Sequence, residues 1–275
     1  MKFTYMLAPM EGFTDNSFRT LCYKYGADVT FTEMARFESL AKKNKSTLEK
    51  IEISNKTPTV IQLIGYKEIF LKKFLEEFKP EEGFLGFNFN LGCPAPMFVN
   101  YGMGCAMIKR ISKIKKIVDI VKKRNYQCSI KLRLGMNRFE KEKKVYLNLI
   151  NEVDADFFVV HARHGKETYD DVADWSVFEE CCKTGKKIIA NGDIKTREDV
   201  EALKGFGVGG VMIGREATKN PAVFNQLKGL KIPELSEIKR EYLKIASKEN
   251  DKYKKNVLKY LGNELIIKEL KILNN

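Results

Sequence analysis

Short apolar segments that alternate with helical stretches are the feature that most constrains the fold of this chain. Eight such segments, each rich in Val, Ile, Leu or Phe, recur over the first 214 residues. Short apolar runs bounded by glycine, proline or polar turn residues are typical of buried strands. We predict strands at 5–10, 29–33, 59–65, 87–91, 129–134, 157–163, 187–192 and 210–214.

Strands that alternate with helices indicate parallel strands joined by crossover helices. Eight such units predict an α/β fold, the (β/α)8 TIM barrel. The alternative is a doubly wound open sheet, which would carry a glycine-rich fingerprint after its first strand. Ala8-Pro9-Met10-Glu11-Gly12 lacks that fingerprint, and Gly207-x-Gly209 precedes a strand instead of following one. The sequence therefore favours the barrel.

The strand pattern stops after Asn225. The remainder is periodic at helical spacing over 234–249 and 253–273, with Gly262 interrupting the second helix. We predict a barrel domain of residues 1–228 and a small helical domain of residues 229–275. Because the second domain is rich in Lys and Arg, we hypothesise that it contacts a polyanion. The alternative is that these charges form only a solvated face.

Composition restricts the partners and the compartment. Charged residues make up 31% and hydrophobic residues 44% of the chain, which is typical of a soluble globular protein, and no apolar run reaches the ~20 residues of a membrane helix. No secretory signal precedes the first strand, so we expect a cytoplasmic protein without membrane contact. Six cysteines without zinc-like spacing and only two histidines argue against a metal site and indicate free thiols.

The net charge of +13 and the pI of about 9.3 favour a polyanionic partner such as nucleic acid. The alternative is a Lys-rich surface that follows from a biased base composition of the genome.

Polar residues gather at the predicted carboxyl ends of the strands, where barrels of this kind place their active sites. Phe87, Phe89 and Leu91 alternate with Asn88 and Asn90, and the strand then breaks at Gly92 into Cys93-Pro94-Ala95-Pro96. This turn presents the Cys93 thiol and the Asn90 amide at the rim. Each residue also has a structural interpretation: Cys93 as a small buried hydrophobe, Lys131 as an ion-paired strand residue, Gln62 as an interior amide and His161 as a core histidine.

Two glycine turns end the seventh and eighth strands, Asn191-Gly192-Asp193 and Gly214-Arg215. Phosphate sites of such barrels form after these two strands. A phosphate bound there would place the cofactor ring over the barrel mouth, facing Lys131 and Gln62. A cation beside the pyrimidine edge of a flavin stabilises its reduced anionic form. The pattern therefore predicts FMN.

These residues together resemble the tRNA-dihydrouridine synthase family, and the resemblance covers residues 5 to about 225. The matching motifs, in chain order, are Ala8 to Gly12 with Asp15, Phe18 and Arg19; Thr32-Glu33-Met34; Gln62; Asn90 to Pro94 with Gly102 and Gly104; Lys131 to Gly135; His161 to Arg163 with Ala173-Asp174-Trp175; Asn191 to Asp193; and Gly214-Arg215. The Asn-x-Gly-Cys-Pro element is the most specific of them.

The resemblance implies an FMN enzyme that reduces one uridine of tRNA with NADPH. It implies that hydride passes from flavin N5 to C6, that Cys93 protonates C5 and that the helical domain helps to hold tRNA. We expect a monomer in which Asn90, Arg133 and Arg163 contact the substrate. The non-covalent FMN contacts that it implies are Pro9, Met10, Glu11, Gln62, Lys131, His161, Asn191, Gly192, Asp193, Gly214 and Arg215.

The implied chemistry fits the residue types. A thiol with an ordinary pKa near ~8.5 is mostly protonated at neutral pH and can act as an acid. The target base would have to leave the tRNA fold to reach the barrel mouth, where Asn90 is expected to contact the uracil edge.

The sequence departs from the family pattern at His164, where Thr is usual, at Cys105, a usually small position, and in its short helical segment. Two alternatives stay open. One is an FMN barrel oxidoreductase acting on a small pyrimidine-like molecule, and the other is a catalytically weak tRNA-binding protein.

Overall fold

The structure is a computed structural model that describes residues 2–249 and 252–262. Its strands are β1 (Thr4–Leu7), β2 (Thr30–Phe31), β3 (Ala35–Arg36), β4 (Thr59–Ile64), β5 (Phe84–Leu91), β6 (Cys128–Arg133), β7 (Phe158–His161), β8 (Ile188–Asn191) and β9 (Gly210–Ile213). Its helices are α1 (Asn16–Lys24), α2 (Phe37–Ala41), α3 (Lys45–Ile51), α4 (Glu68–Glu77), α5 (Pro96–Val99), α6 (Ile111–Lys122), α7 (Arg138–Glu142), α8 (Val145–Glu152), α9 (Val177–Lys183), α10 (Arg197–Gly205), α11 (Arg215–Lys219), α12 (Val223–Leu227), α13 (Leu235–Ala246) and α14 (Lys254–Tyr260).

All strand pairs in the sheet are parallel, and their order is β1-β9-β8-β7-β6-β5-β4-β2. A parallel bridge between Met6 and Val29 joins the two ends of this order, and the amide of Leu7 donates to the carbonyl of Val29 over 2.9 Å. The sheet thus forms a nearly closed barrel with helices between its strands. The predicted (β/α)8 fold is confirmed.

The second strand of the barrel is less regular than predicted. Only Thr30 and Phe31 pair with β4, and a further short strand, β3, pairs with the end of β4 at Leu63 and Ile64. The polar, Lys-rich stretch 35–56 holds β3, α2 and α3. The charged residues of this stretch made the helices hard to recognise from the sequence, because each helix buries only part of one face.

Two regions show how local interactions determine where a helix begins or is interrupted. Thr196 and Asp199 form the reciprocal hydrogen bonds of a capping box at the start of α10. The apolar spacing of residues 139–153 is that of one helix, but the structure divides this stretch into α7 and α8. Lys144 lies between them with a φ of 52°, a left-handed conformation that interrupts the helix.

Side-chain alternation along the strands places the polar residues at the barrel mouth. Met6, Val60, Val159, Ile189 and Met212 pack together in one apolar layer of the barrel interior. Because side chains alternate faces with period two, Gln62, His161 and Asn191 follow Val60, Val159 and Ile189 on the inward face. The polar residues Asn90 and Lys131 follow Asn88 and Ser129 in the same way. The interior therefore changes from apolar to polar at the mouth.

The C-terminal helices pack directly on the barrel. Ile238 and Tyr242 of α13 are buried in the same hydrophobic core as the barrel strands and helices. Tyr260 of α14 meets Phe13 edge to face with ring centroids 5.1 Å apart. The Tyr253 hydroxyl donates to Glu33 Oε2 over 2.8 Å, which ties this segment to the rim.

The helix predicted over 234–249 appears as α13, and α14 lies within the one predicted over 253–273. Residues 263–275 of the latter, and of the predicted domain 229–275, lie outside the described residues. The domain boundary at 228 stays a prediction. No helix in the described part of the chain is long and apolar enough to cross a membrane.

Candidate active site

A cavity opens at the carboxyl ends of β1, β6, β7, β8 and β9. Nine of the eleven residues predicted to bind the cofactor line it. They are Pro9, Met10, Lys131, His161, Asn191, Gly192, Asp193, Gly214 and Arg215. Strand topology explains this convergence, since these residues follow five neighbouring strands of one barrel.

The side of the cavity formed by β8 and β9 suits an anion. The helix α11 begins at Arg215, and the first amides of a helix have no partner within it. Asp193 fixes the arginine, since its Oδ1 accepts a hydrogen bond from Arg215 over 2.8 Å. Hydrogen bonds from the Ala173 amide and Arg163, together with the charges of the two arginines, outweigh partial burial and hold the pKa of Asp193 below its usual value.

Lys131 and His161 lie deeper in the cavity, among several cations. Burial lowers the pKa of Lys131 to about 8, and the nearby charge of Arg133 adds to this shift. The Lys131 ammonium makes no hydrogen bond or ion pair with any residue in 2–249 or 252–262. Burial and the surrounding cations also depress the pKa of His161 well below its usual value. Its Nε2 lies 3.2 Å from Arg163 Nη1, and because guanidinium only donates, this nitrogen accepts and the ring is neutral.

Cys93 follows β5 in a turn that Asn90 organises. The Asn90 Oδ1 accepts hydrogen bonds from the amides of Gly92, over 3.1 Å, and Cys93, over 2.8 Å. The turn is closed from behind by Gly104 and Cys105, whose amide donates to the Cys93 carbonyl over 3.0 Å. A Cβ on Gly104 would lie 2.3 Å from that carbonyl oxygen, so only glycine fits there.

The family model described as "Dihydrouridine synthase (Dus)" matches residues 6–271. The chain belongs to the dihydrouridine synthase family. It is accordingly an oxidoreductase, and the resemblance inferred from the motifs is confirmed.

Curated members of the family align over most of the chain. A protein named "Probable tRNA-dihydrouridine synthase" from Helicobacter pylori is 34% identical over 81% of this chain and 69% of its own length. The "tRNA-dihydrouridine synthase B" of Pseudomonas putida is 28% identical over 86% of this chain and 73% of its own length. The mouse "tRNA-dihydrouridine(47) synthase [NAD(P)(+)]-like" is 27% identical over 81% of this chain and 36% of its own.

The Cys93 thiol in this dihydrouridine synthase is half-buried and protonated at neutral pH. Burial raises its pKa, while the Ala95 amide and the charges of Arg133 and Lys131 oppose that shift. The second thiol, Cys105, is fully buried and donates to the carbonyl of Gly92 over 2.8 Å. Burial raises the pKa of Cys105 to about 12. Cys105 thus lies close to Cys93 but serves to hold the turn.

Gln62 is buried beside the cavity and does not line it. Its Nε2 donates to Asn88 over 2.8 Å, and its Oε1 accepts from Asn90 Nδ2 over 3.0 Å. Asn88 in turn donates to Ser129 over 2.9 Å. This chain of hydrogen bonds connects β4, β5 and β6 and holds the Asn90 side chain that supports Cys93. The Asn90 amide is thus engaged by the protein, and its predicted contact with the substrate stays a prediction.

The two arginines predicted as substrate contacts bind backbone carbonyls. Arg133 Nη1 donates to the carbonyls of His164, over 2.8 Å, and Glu167, over 3.0 Å. Arg163 is fully buried and donates to His161, to the carbonyl of Asp171 and to Asp193. Both side chains therefore fix the loop after β7, and Arg163 acts on the cavity through His161 and Asp193.

Glu11 lies outside the cavity lining, like Gln62. Its exposed carboxylate pairs with Lys50 of α3. The sequence singled out Glu11 because it follows the first strand, and its contact with the cofactor stays a prediction.

Tyr169 is a cavity residue that sequence reasoning missed. Its ring stacks on His161 at a centroid distance of 6.5 Å, and the Arg215 guanidinium carbon lies 4.1 Å from its centroid. Tyr169 belongs to the irregular loop after β7, where no periodicity marks an inward position. The only signal available was an aromatic residue a few positions after the His161–Arg163 motif.

Metal ligands do not converge anywhere in the part of the chain that the structure describes. No three His, Cys, Asp or Glu side chains within it are grouped so that they could hold an ion.

Proposed function

We propose that this chain reduces the C5=C6 bond of a uridine in tRNA to 5,6-dihydrouridine, with FMN as its non-covalent cofactor and NADPH as reductant. The observation that carries this proposal is the Cys93 thiol, held at the barrel rim beside a cavity in which the Lys131 ammonium pairs with no residue of the described chain. Family membership supports the product, and the net charge of +13 supports a tRNA substrate.

The residues of the cavity fit FMN. Arg215 and the first amides of α11 suit its phosphate. The Lys131 ammonium has no partner within the described chain and suits the electron-rich edge of the ring system, where a cation favours the reduced form. His161 is neutral and adds no competing charge. The chemistry that FMN supplies when bound is transfer of a hydride, received from NADPH, to C6 of the uracil.

Cys93 supplies the other hydrogen of the reduction. Its S–H bond breaks as a C–H bond forms at C5, so hydride and proton together add two hydrogens to the base. The thiolate left behind is stabilised by the charges of Arg133 and Lys131 and regains a proton from solvent. Asn90 and Gly104 hold the turn so that the sulfur stays in place during this transfer.

We propose that the protein acts in the cytoplasm, because its cysteines are free thiols and its proposed substrate is tRNA. We expect a monomer.

Purification and one assay test the proposal. We expect a yellow protein that releases FMN on denaturation. With NADPH and unmodified tRNA it should yield a nucleoside that is heavier than uridine by two hydrogens. Absence of flavin, or reduction of free uridine or orotate without reduction of tRNA, would contradict the proposal and favour the small-molecule enzyme. Flavin-free protein that binds tRNA would instead favour a binding protein.

A further inference from the structure

A patch of aromatic, apolar and basic side chains lies on the rim beside Cys93, outside the cavity. It comes from the segments that follow β4 and β5 and from the start of α6. We call it the rim patch, and it consists of Tyr66, Lys67, Met97, Tyr101, Arg110 and Lys113. None of these residues has a role in the mechanism above.

Exposed apolar side chains mark one half of the rim patch. Met97 is 62% exposed and Tyr101 is 64% exposed, and both lie in the segment that runs from Cys93 to Gly104. Large exposed side chains placed beside a reactive group point to a binding surface. The segment itself is well anchored, because Phe98 and Met103 are buried beneath it.

Unpaired cations mark the other half. The Lys67 and Lys113 ammonium groups lie 5.6 Å and 5.2 Å from the ring centroid of Tyr66. The Arg110 guanidinium packs against the backbone of Gly102, because a Cβ built there would lie 2.7 Å from its nitrogens. These three cations make no ion pair with any described residue, whereas the adjacent Lys109 pairs with Glu140 over 2.6 Å. The patch therefore carries uncompensated positive charge next to aromatic rings.

The rim patch is joined to the reactive thiol by shared packing. Cys93 and Tyr66 both pack on the small cluster of Ile64, Phe98 and Met103. A molecule that rests on the patch is therefore fixed relative to the sulfur. A fixed position relative to the sulfur is required of a substrate with many bases when only one of them is to enter the cavity.

We propose that the rim patch binds the nucleotides that flank the reduced uridine in tRNA. A flanking base stacks on Tyr101, and Lys67, Arg110 and Lys113 contact the phosphates. The inference rests on the proposed function, since it assigns a binding surface for its substrate. An exposed tyrosine among cations that pair with no described residue is what single-stranded nucleic acid requires, because every base has a stacking face and every nucleotide a phosphate.

The test compares substitutions in the rim patch with matched substitutions elsewhere. The patch variants are Tyr101→Ala and the double variant Lys67→Ala/Lys113→Ala. The controls are Tyr23→Ala, at an exposed tyrosine of α1, and Lys123→Ala, at an exposed cation beyond the far end of α6. Dissociation constants for unmodified tRNA are measured on the full chain with its flavin over a series of salt concentrations, and KM for tRNA is measured with NADPH in excess.

We expect Tyr101→Ala to weaken tRNA binding about tenfold and to raise KM for tRNA in parallel. We expect Tyr101→Trp to restore binding, because it retains a stacking face. The double lysine variant should reduce the slope of log affinity against log salt by about 1.5, since two phosphate contacts are lost. The two controls should bind as the unsubstituted chain does.

Binding and salt slopes in the patch variants equal to those of the controls would overturn this inference, even if all variants form dihydrouridine. Failure of the proposed function looks different, because the unsubstituted chain itself would then form no dihydrouridine. Thermal melting of each variant shows whether a loss of binding reflects a loss of folding. We expect the patch variants to fold, since the substituted side chains have solvent access.

Discussion

Replacement of Asn90 by Ala removes the side chain that organises the Cys93 turn. Its Oδ1 holds the amides of Gly92 and Cys93, over 3.1 Å and 2.8 Å, and its Nδ2 donates to Gln62 over 3.0 Å. The change leaves two turn amides and one buried acceptor without these partners. We expect both a less stable protein and a displaced thiol.

The magnitude follows from these three hydrogen bonds. Each contributes about 1 kcal/mol net to the free energy of unfolding. The Oε1 of Gln62 is also left buried and unpaired, because the remaining bond of that amide is made by Nε2 to Asn88. We therefore expect Asn90→Ala to lower the free energy of unfolding by about 3 kcal/mol, and dihydrouridine formation to fall more than flavin binding does.

Urea unfolding measures the loss. The matched control is Asn148→Ala, at an exposed asparagine of α8, where we expect a change within about 0.5 kcal/mol. Asn90→Asp keeps an oxygen for the two turn amides and should lose less than Asn90→Ala. If Asn90→Ala is as stable as the Asn148 control, Asn90 does not organise the turn.

Two further predictions concern the cavity and the turn. Raising the pH from about 7 to about 9 removes the Lys131 proton, because the pKa of Lys131 is about 8, and FMN affinity should therefore fall about tenfold. The Lys131→Arg variant should show no such fall. An FMN affinity of the unsubstituted chain that does not change with pH would contradict the assigned contact. Gly104→Ala should lower the free energy of unfolding by at least about 2 kcal/mol and abolish dihydrouridine formation, because its Cβ meets the Cys93 carbonyl. Gly185→Ala, also at positive φ but with open space around it, should cost only the backbone strain, and equal losses at both glycines would exclude the clash.

The barrel was predictable from sequence because its strands are short, apolar and separated by helices. Period-two alternation also placed His161 and Asn191 at the mouth, since they follow the interior apolar residues Val159 and Ile189 by two positions. The second strand was harder to predict. Its pairing is divided between β2 and β3, and the charged helices α2 and α3 carry little apolar pattern.

The supporting contacts of the site were not predictable from the residues alone. Gln62 and Arg163 were singled out as polar residues of the barrel strands, but their partners are distant in sequence. Gln62 binds Asn88 and Asn90 of β5, and Arg163 binds loop residues that follow β7 and β8. Tyr169 was missed because it lies in an irregular loop. A polar residue within an apolar strand can be recognised from the sequence. The hydrogen bonds that its side chain makes are determined by the tertiary fold.

The role of Cys93 is tested most directly by comparing Cys93→Ala with Cys105→Ala, because the backbones of these two cysteines are joined by a hydrogen bond. Unmodified tRNA and NADPH are supplied, flavin absorbance is followed, and the dihydrouridine formed is measured. The account predicts that Cys93→Ala binds FMN and is reduced by NADPH but forms almost no dihydrouridine, whereas folded Cys105→Ala retains turnover. Full turnover by Cys93→Ala would contradict the account and move the proton donor to another group.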